Sequence, residues 1–177
     1  KETAQIAINA SLTGHLVFTT LHTNSVFESL SRLMNMGIEP YLLTPALQLL
    51  LGQRLVRKVC PHCGKWNQAS AEEDMEIRKK LTEIQQTHPE LGTNYQGKIF
   101  HWSGCEHCNN SGYLGRIAIL EILEINDEIR AKLMNGMQGD NLLPLAKSFG
   151  FISMQEDWIL KVVEGITDLK ELHRVLY

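Results

Sequence analysis

Four cysteines occur in this sequence, and all fall into two pairs, Cys60-Pro61-His62-Cys63 and Cys105-Glu106-His107-Cys108. A two-residue gap lets both thiolates of a pair face one ion, and two such knuckles complete the closed tetrahedral shell of a structural Zn2+. Turn-forming residues follow each knuckle, Gly64 after the first and Asn109, Asn110, Ser111 and Gly112 after the second, as tight backbone around a metal requires. The stretch between the knuckles is longer than in a usual zinc ribbon, and a surface helix inserted there accounts for it without moving the ligands. Disulfides or a redox CxxC are the competing readings. A cytoplasmic chain keeps its thiols reduced, however, and a redox motif needs only one pair. His62 and His107 are rival ligands, but four thiolates already fill the shell, so both are expected to be loop histidines. With no position open to water, this zinc should staple a small subdomain rather than catalyse.

A second set of polar residues, His22, Thr23 and Asn24, stands where an apolar run gives way to a helix. The run His15 to His22, HLVFTTLH, is β-branched, aromatic and uncharged, which predicts a central strand buried on both faces of a parallel sheet. Before it, Ala4, Ala7, Ile8 and Leu12 recur at helical spacing from Glu2 to Thr13, with Gly14 as the stop. After it, Ser25 and Glu28 fit a capping box, and the helix they open carries Phe27, Leu30, Leu33 and Met34 to a core before Gly37. Pro40 suits the first turn of a further helix running to about Gln53. Helix, strand, helix is the rhythm of an α/β domain, whose ligands collect at the carboxyl edge of the sheet. The plain alternative is a satisfied turn, with Thr23 and Asn24 as local backbone caps and the histidines packed.

Beyond Arg54 the pattern changes. Leu55 to Val59 alternates apolar and basic residues like an edge strand and leads into the first knuckle. Ala71 to about His88 is highly charged with Ile77, Leu81 and Ile84 on one narrow stripe, which predicts the inserted surface helix, closed by Pro89. Lys98 to Trp102 and Gly115 to Ile125 read as short strands, the second alternating through Ile117, Ile119 and Glu121. Helices are expected over Asp127 to Leu133, Leu142 to Phe149, Met154 to Gly165 and Leu169 to Leu176.

The composition suits a soluble globular chain: 44% of the 177 residues are hydrophobic and the net charge is −3. The slightly acidic balance argues against a broad phosphate-binding field, and the basic cluster Arg54, Arg57 and Lys58 reads as a solvated edge. Trp66, Trp102, Tyr95 and Tyr113 lie near the knuckles without interleaved Lys and Arg, so they read as packing around zinc rather than a base-stacking platform. No apolar run approaches the roughly 20 residues of a bilayer span, and no signal peptide opens the chain. A soluble, cytoplasmic protein is expected. The sequence starts within a helix and without Met, which suggests a fragment.

Several stretches together resemble the ATPase family that drives type II secretion and type IV pilus assembly. They are Glu2-Thr3-Ala4-Gln5-Ile6-Ala7, the histidine box TGHLVFTTLHTN from Thr13 to Asn24, RLMNMGIEP from Arg32 to Pro40, QRLVRKVCPHC from Gln53 to Cys63, and GYLGR from Gly112 to Arg116. The resemblance implies an α/β fold, the C-terminal part of a RecA-like P-loop ATPase domain with a small zinc-binding subdomain and a C-terminal helical cluster. The divisions would be 1–59, 60–114 and 115–177. It implies that His22 approaches the terminal phosphate of ATP, with His15 as the second histidine of the box and Thr20, Thr23 and Asn24 as supporting donors. Zinc on Cys60, Cys63, Cys105 and Cys108 would be structural, while ATP and Mg2+ belong to the parent protein. That parent would be a homo-hexamer at the cytoplasmic face of the inner membrane, peripherally associated, contacting platform and cytoplasmic docking proteins and no nucleic acid. No G-x-x-x-x-G-K-[ST] occurs in the sequence, nor an acidic Walker B segment, so this chain by itself is expected to be inactive. The alternative is a zinc-ribbon binding module for a protein or nucleic-acid partner.

Overall fold

The computed structural model describes residues 2–91, 94–137 and 139–176. Helices and strands are mixed. The helices are α1 (Glu2–Leu12), α2 (Val26–Asn35), α3 (Pro40–Ala46), α4 (Ala71–Thr87), α5 (Asp127–Met134), α6 (Leu143–Ser148), α7 (Met154–Val163) and α8 (Leu169–Leu176). The strands are β1 (Leu49–Val59), β2 (Gly64–Gln68), β3 (Lys98–Trp102) and β4 (Tyr113–Glu124). β1 pairs with β4, and β2 with β3, each as a two-stranded sheet. The chain forms two compact units, Lys1–Gly52 with Glu121–Phe151, and Gln53–Leu120 with Ile152–Tyr177, and it passes from one to the other along β1 and back along β4.

In the first unit, α2 is the organising helix. Its apolar residues Val26, Phe27, Leu30 and Leu33 are buried, as its spacing predicts. Phe27 meets Phe151 edge to face at 5.2 Å, within a core shared with Leu123, Ile125, Ile129, Leu133, Leu142 and Ala146. A smaller core joins Ile8 of α1 to Leu33, Ile38 and Leu43.

Two expectations fail in this unit. Residues His15 to Thr23 lie outside helix and strand, and Leu16 and Phe18 are 82% and 87% exposed. A strand exists only through a hydrogen-bonded neighbour, and none of the four described strands runs beside this segment. The helix opened by Pro40 ends at Ala46 rather than near Gln53. Pro45 brings no N–H to the helical ladder, Leu47 turns to extended backbone, and β1 takes over from Leu49.

The second unit is built around α4 and α7. Ile77, Leu81 and Ile84 of α4 pack with Val56, Ile99 and Ile119 of the strands and with Met154, Trp158, Ile159 and Val162 of α7. Ser70 and Glu73 form a reciprocal capping box at the start of α4, and Ser153 and Glu156 do so at α7. Strand β2 is an addition to the sequence reading. Its residues after Gly64 are all exposed, so it carries no alternation to betray it.

Candidate functional site

The β2–β3 ladder sets the distance between the two cysteine knuckles. It is antiparallel, with Gly64 opposite Trp102 and Gln68 opposite Lys98. The residue following Cys63 is thereby held across from a residue three positions before Cys105, and the long insertion between them closes at its base. Local backbone bonds then shape each knuckle: Gly64 N–H donates to the Cys60 carbonyl at 2.9 Å, and Asn110 N–H to the Cys105 carbonyl at 2.9 Å. Cys60 N–H donates to the Gly112 carbonyl at 2.9 Å and ties one knuckle to the other. Gly112 has φ +78°, and a Cβ there would lie 2.0 Å from Trp102 Cδ2.

All four sulfurs lie within 4.8 Å of one another. Cys60 Sγ is 3.9 Å from Cys105 Sγ, Cys63 Sγ is 3.9 Å from Cys108 Sγ, and Cys105 Sγ is 3.7 Å from Cys108 Sγ. A disulfide would need about 2 Å. A tetrahedron of sulfurs at about 2.3 Å from a central Zn2+ has edges of about 3.8 Å, so the donor set fits that ion. Cys60, Cys63 and Cys108 are buried. Burial opposes ionisation of Cys108, but N–H groups of Cys105 and Gly112 and the Cys105 and Cys63 thiols outweigh it and draw this thiol down to about 6. Burial, reinforced by hydrogen bonding to the Cys108 and Cys60 sulfurs, pushes Cys105 up to about 11. A divalent cation among the four sulfurs would favour ionisation of the thiols. His62, in a turn, and His107, in the 3-10 turn Glu106–Cys108, are exposed and stacked on each other at 4.1 Å, outside the four-sulfur group.

Trp102 and Tyr113 pack beside the knuckles within the same unit, whereas Trp66 is 50% exposed and Tyr95 packs against the α4 core. Trp102 Nε1 and Tyr113 OH both donate to Asp168 Oδ2 at 2.8 Å, while Asp168 Oδ1 caps α8 through Glu171 N–H at 2.8 Å. The Arg57 guanidinium lies 4.0 Å from the centre of the Tyr113 ring. Burial and the Asp168 carboxylate push the Tyr113 phenol up, so it remains a donor. Sequence reasoning missed Asp168 and Glu171 because their partners lie far away along the chain.

In the first unit, His22 stands in the turn that opens α2. Its carbonyl accepts from Arg32 Nη1 at 2.6 Å, and its side chain is exposed. Thr23 Oγ1 and Ser29 Oγ are 2.7 Å apart, and Asn24 N–H donates to Glu28 Oε2 at 2.7 Å. Ser25 caps α2 by accepting from Glu28 N–H at 3.1 Å. His15 lies just beyond α1: it is exposed, and its Nδ1 is 3.2 Å from the Ala10 carbonyl, to which it donates. Thr20 is exposed in the irregular segment between them.

The model of the family described as "Type II/IV secretion system protein" matches residues 1–174. The chain belongs to that family. It is 44% identical over 176 residues to "Type II secretion system protein E" of Dickeya dadantii, covering 98% of this chain and 32% of that protein. It is 39% identical over 175 residues to "Type IV pilus assembly ATPase PilB" of Thermus thermophilus, covering 97% of this chain and 18% of that protein. With "Type II secretion system ATPase E" of Vibrio cholerae it shares 38% over 174 residues, covering 98% of this chain and 32% of that protein. The chain therefore spans at most about a third of these relatives. Among the described residues, no helix of this secretion-family chain is long and apolar enough to cross a membrane.

Proposed function

We propose that this chain is the C-terminal portion of an ATPase that powers type II protein secretion or type IV pilus assembly. The observation that carries the reading is the exposed His22 imidazole on a turn fastened to α2 by Arg32, Glu28 and Ser29, in a chain matched from 1 to 174 by the secretion family. A histidine so presented can donate a hydrogen bond to a phosphate oxygen, and its protonation responds to phosphate charge. In this reading His22 approaches the terminal phosphate of ATP held with Mg2+, and Thr20, Thr23 and Asn24 add donors. His15 braces the preceding segment. In this reading the irregular run 15–22 belongs to the end of a RecA-like ATPase core.

The four thiolates hold a structural Zn2+, which supplies a closed cross-link and no open position for chemistry. In this reading residues 1–59 end the ATPase core and 60–114 form the zinc subdomain, while the helices of 115–177 do not form one cluster: α5 and α6 fall in the first compact unit, α7 and α8 in the second. The parent is a homo-hexamer at the cytoplasmic face of the inner membrane, coupling hydrolysis to movement of a membrane platform and meeting cytoplasmic docking proteins. Within these 177 residues no G-x-x-x-x-G-K-[ST] holds phosphates, so the chain by itself does not turn over ATP.

The test is ATP hydrolysis by the full-length protein containing this chain, with His22 intact or replaced. His22→Ala is expected to lower kcat about a hundredfold, the scale of losing one transition-state donor. An unchanged kcat contradicts the role given to His22, and turnover that copurifies with the isolated chain contradicts the division of labour.

A further inference from the structure

We infer that Glu121 is a positioning residue for the His22–Ser25 turn, acting through the N-terminus of α2. Alternation along β4 puts residue 121 on the same buried side as Ile119 and Leu123, yet it is a carboxylate, only 5% exposed. Burying such a group is costly unless it is hydrogen-bonded. Its Oε1 accepts the N–H of Val26, the first residue of α2, at 2.6 Å. That N–H is one of the donors a helix leaves free at its start, where the helix dipole also favours negative charge.

Gly52 in β1 makes room for this arrangement. A Cβ at that position would lie 2.8 Å from both Cγ and Oε1 of Glu121. A glycine notch and a buried acid are thus two parts of one device, and both lie in the same compact unit as α2. From α2 the hold passes to the turn by three bonds: Arg32 to the His22 carbonyl, Glu28 to Asn24 N–H, and Ser29 to Thr23. Loosening Val26 frees the end of α2 to which these bonds anchor the imidazole-bearing turn. The mechanistic consequence rests on the ATPase reading above; the structural consequence does not.

The experiment uses the full-length protein with Glu121→Gln, Gly52→Ala, His22→Ala and the Glu121→Gln/His22→Ala pair. Glu121→Gln keeps the side chain's shape but removes its charge. Amide hydrogen exchange across 22–28 is expected to quicken about tenfold, as loss of a charge-assisted bond implies, while α5 and α6 of the same unit keep their protection. Gly52→Ala, which crowds the carboxylate without removing it, is expected to quicken the same amides. For ATP hydrolysis, Glu121→Gln is expected to lower kcat about tenfold with KM within about twofold, and to have no further effect in the His22→Ala background. Unchanged exchange across 22–28 overturns the inference, as does a Glu121→Gln loss of the same size with and without His22. If His22→Ala leaves kcat unchanged, the ATPase role of His22 fails, and the exchange data alone decide whether Glu121 positions the turn.

Discussion

Replacing Glu171 by Gln should weaken the second unit in a way that depends on pH. Glu171 is fully buried at the start of α8. Its carboxylate accepts from Arg57 N–H at 3.0 Å, Arg57 Nε at 2.9 Å, Arg57 Nη2 at 2.7 Å and Arg174 Nε at 2.9 Å. Burial alone would raise its pKa, but the hydrogen bonds of Arg174 and Arg57 outweigh burial and bring it from 4.5 to about 2. At about 1.4 kcal/mol per unit, that shift corresponds to at most about 3 kcal/mol. The Arg57 and Arg174 side chains are 41% and 53% exposed, so solvent screening reduces the figure to about 2 kcal/mol. Because the folded pKa is the lower one, this contribution is complete above the unfolded value of 4.5 and is lost as pH falls towards 2. Urea unfolding of the native and Glu171→Gln chains should therefore differ by about 2 kcal/mol at pH 7. By pH 3.5 the difference should have shrunk by about a third to a half. Comparing both chains at the same pH removes any effect of metal loss common to both. A deficit of equal size at pH 7 and pH 3.5 would refute the electrostatic account of Glu171.

Two further substitutions probe packing. Gly112→Ala places a methyl group 2.0 Å from Trp102 Cδ2 at a backbone φ of +78° and should cost about 2 kcal/mol or more in denaturant unfolding; it should also weaken metal binding, since Gly112 N–H donates to Cys108 Sγ at 3.3 Å. Ile77→Ala, at a fully buried position of α4, should cost about 3 kcal/mol by the same measurement, and a cost below about 1 kcal/mol would show that α4 is not part of the second unit's core.

How far the sequence discloses the molecule depends on how local each signal is. The four-cysteine cluster is legible because each CxxC sets its own geometry, and the stripe Ile77, Leu81, Ile84 marks α4 as an insertion between the pairs. Residues Leu47, Leu50 and Leu51 fit a helical stripe, while Leu49, Leu51, Gln53 and Leu55 fit a strand equally well. Pro45 and pairing with β4 decide for the strand, and only the first of these is visible locally. The run His15 to His22 carries the composition of a buried strand, but strand formation needs a neighbour that composition cannot supply. By its spacing alone Glu121 is one position in an alternating strand. Its sign was available, an acid on the buried side of β4, yet its partner Val26 lies 95 positions away. Glu171 and Arg57 are 114 positions apart, beyond any periodicity.

The central structural claim is that four sulfurs, and nothing else, enclose one metal ion. X-ray absorption at the zinc edge, combined with elemental analysis of the folded chain, measures this directly. One zinc per chain with four sulfur neighbours at about 2.3 Å is the expected result. A chain that folds without metal, or a zinc shell containing nitrogen or oxygen neighbours, would contradict it.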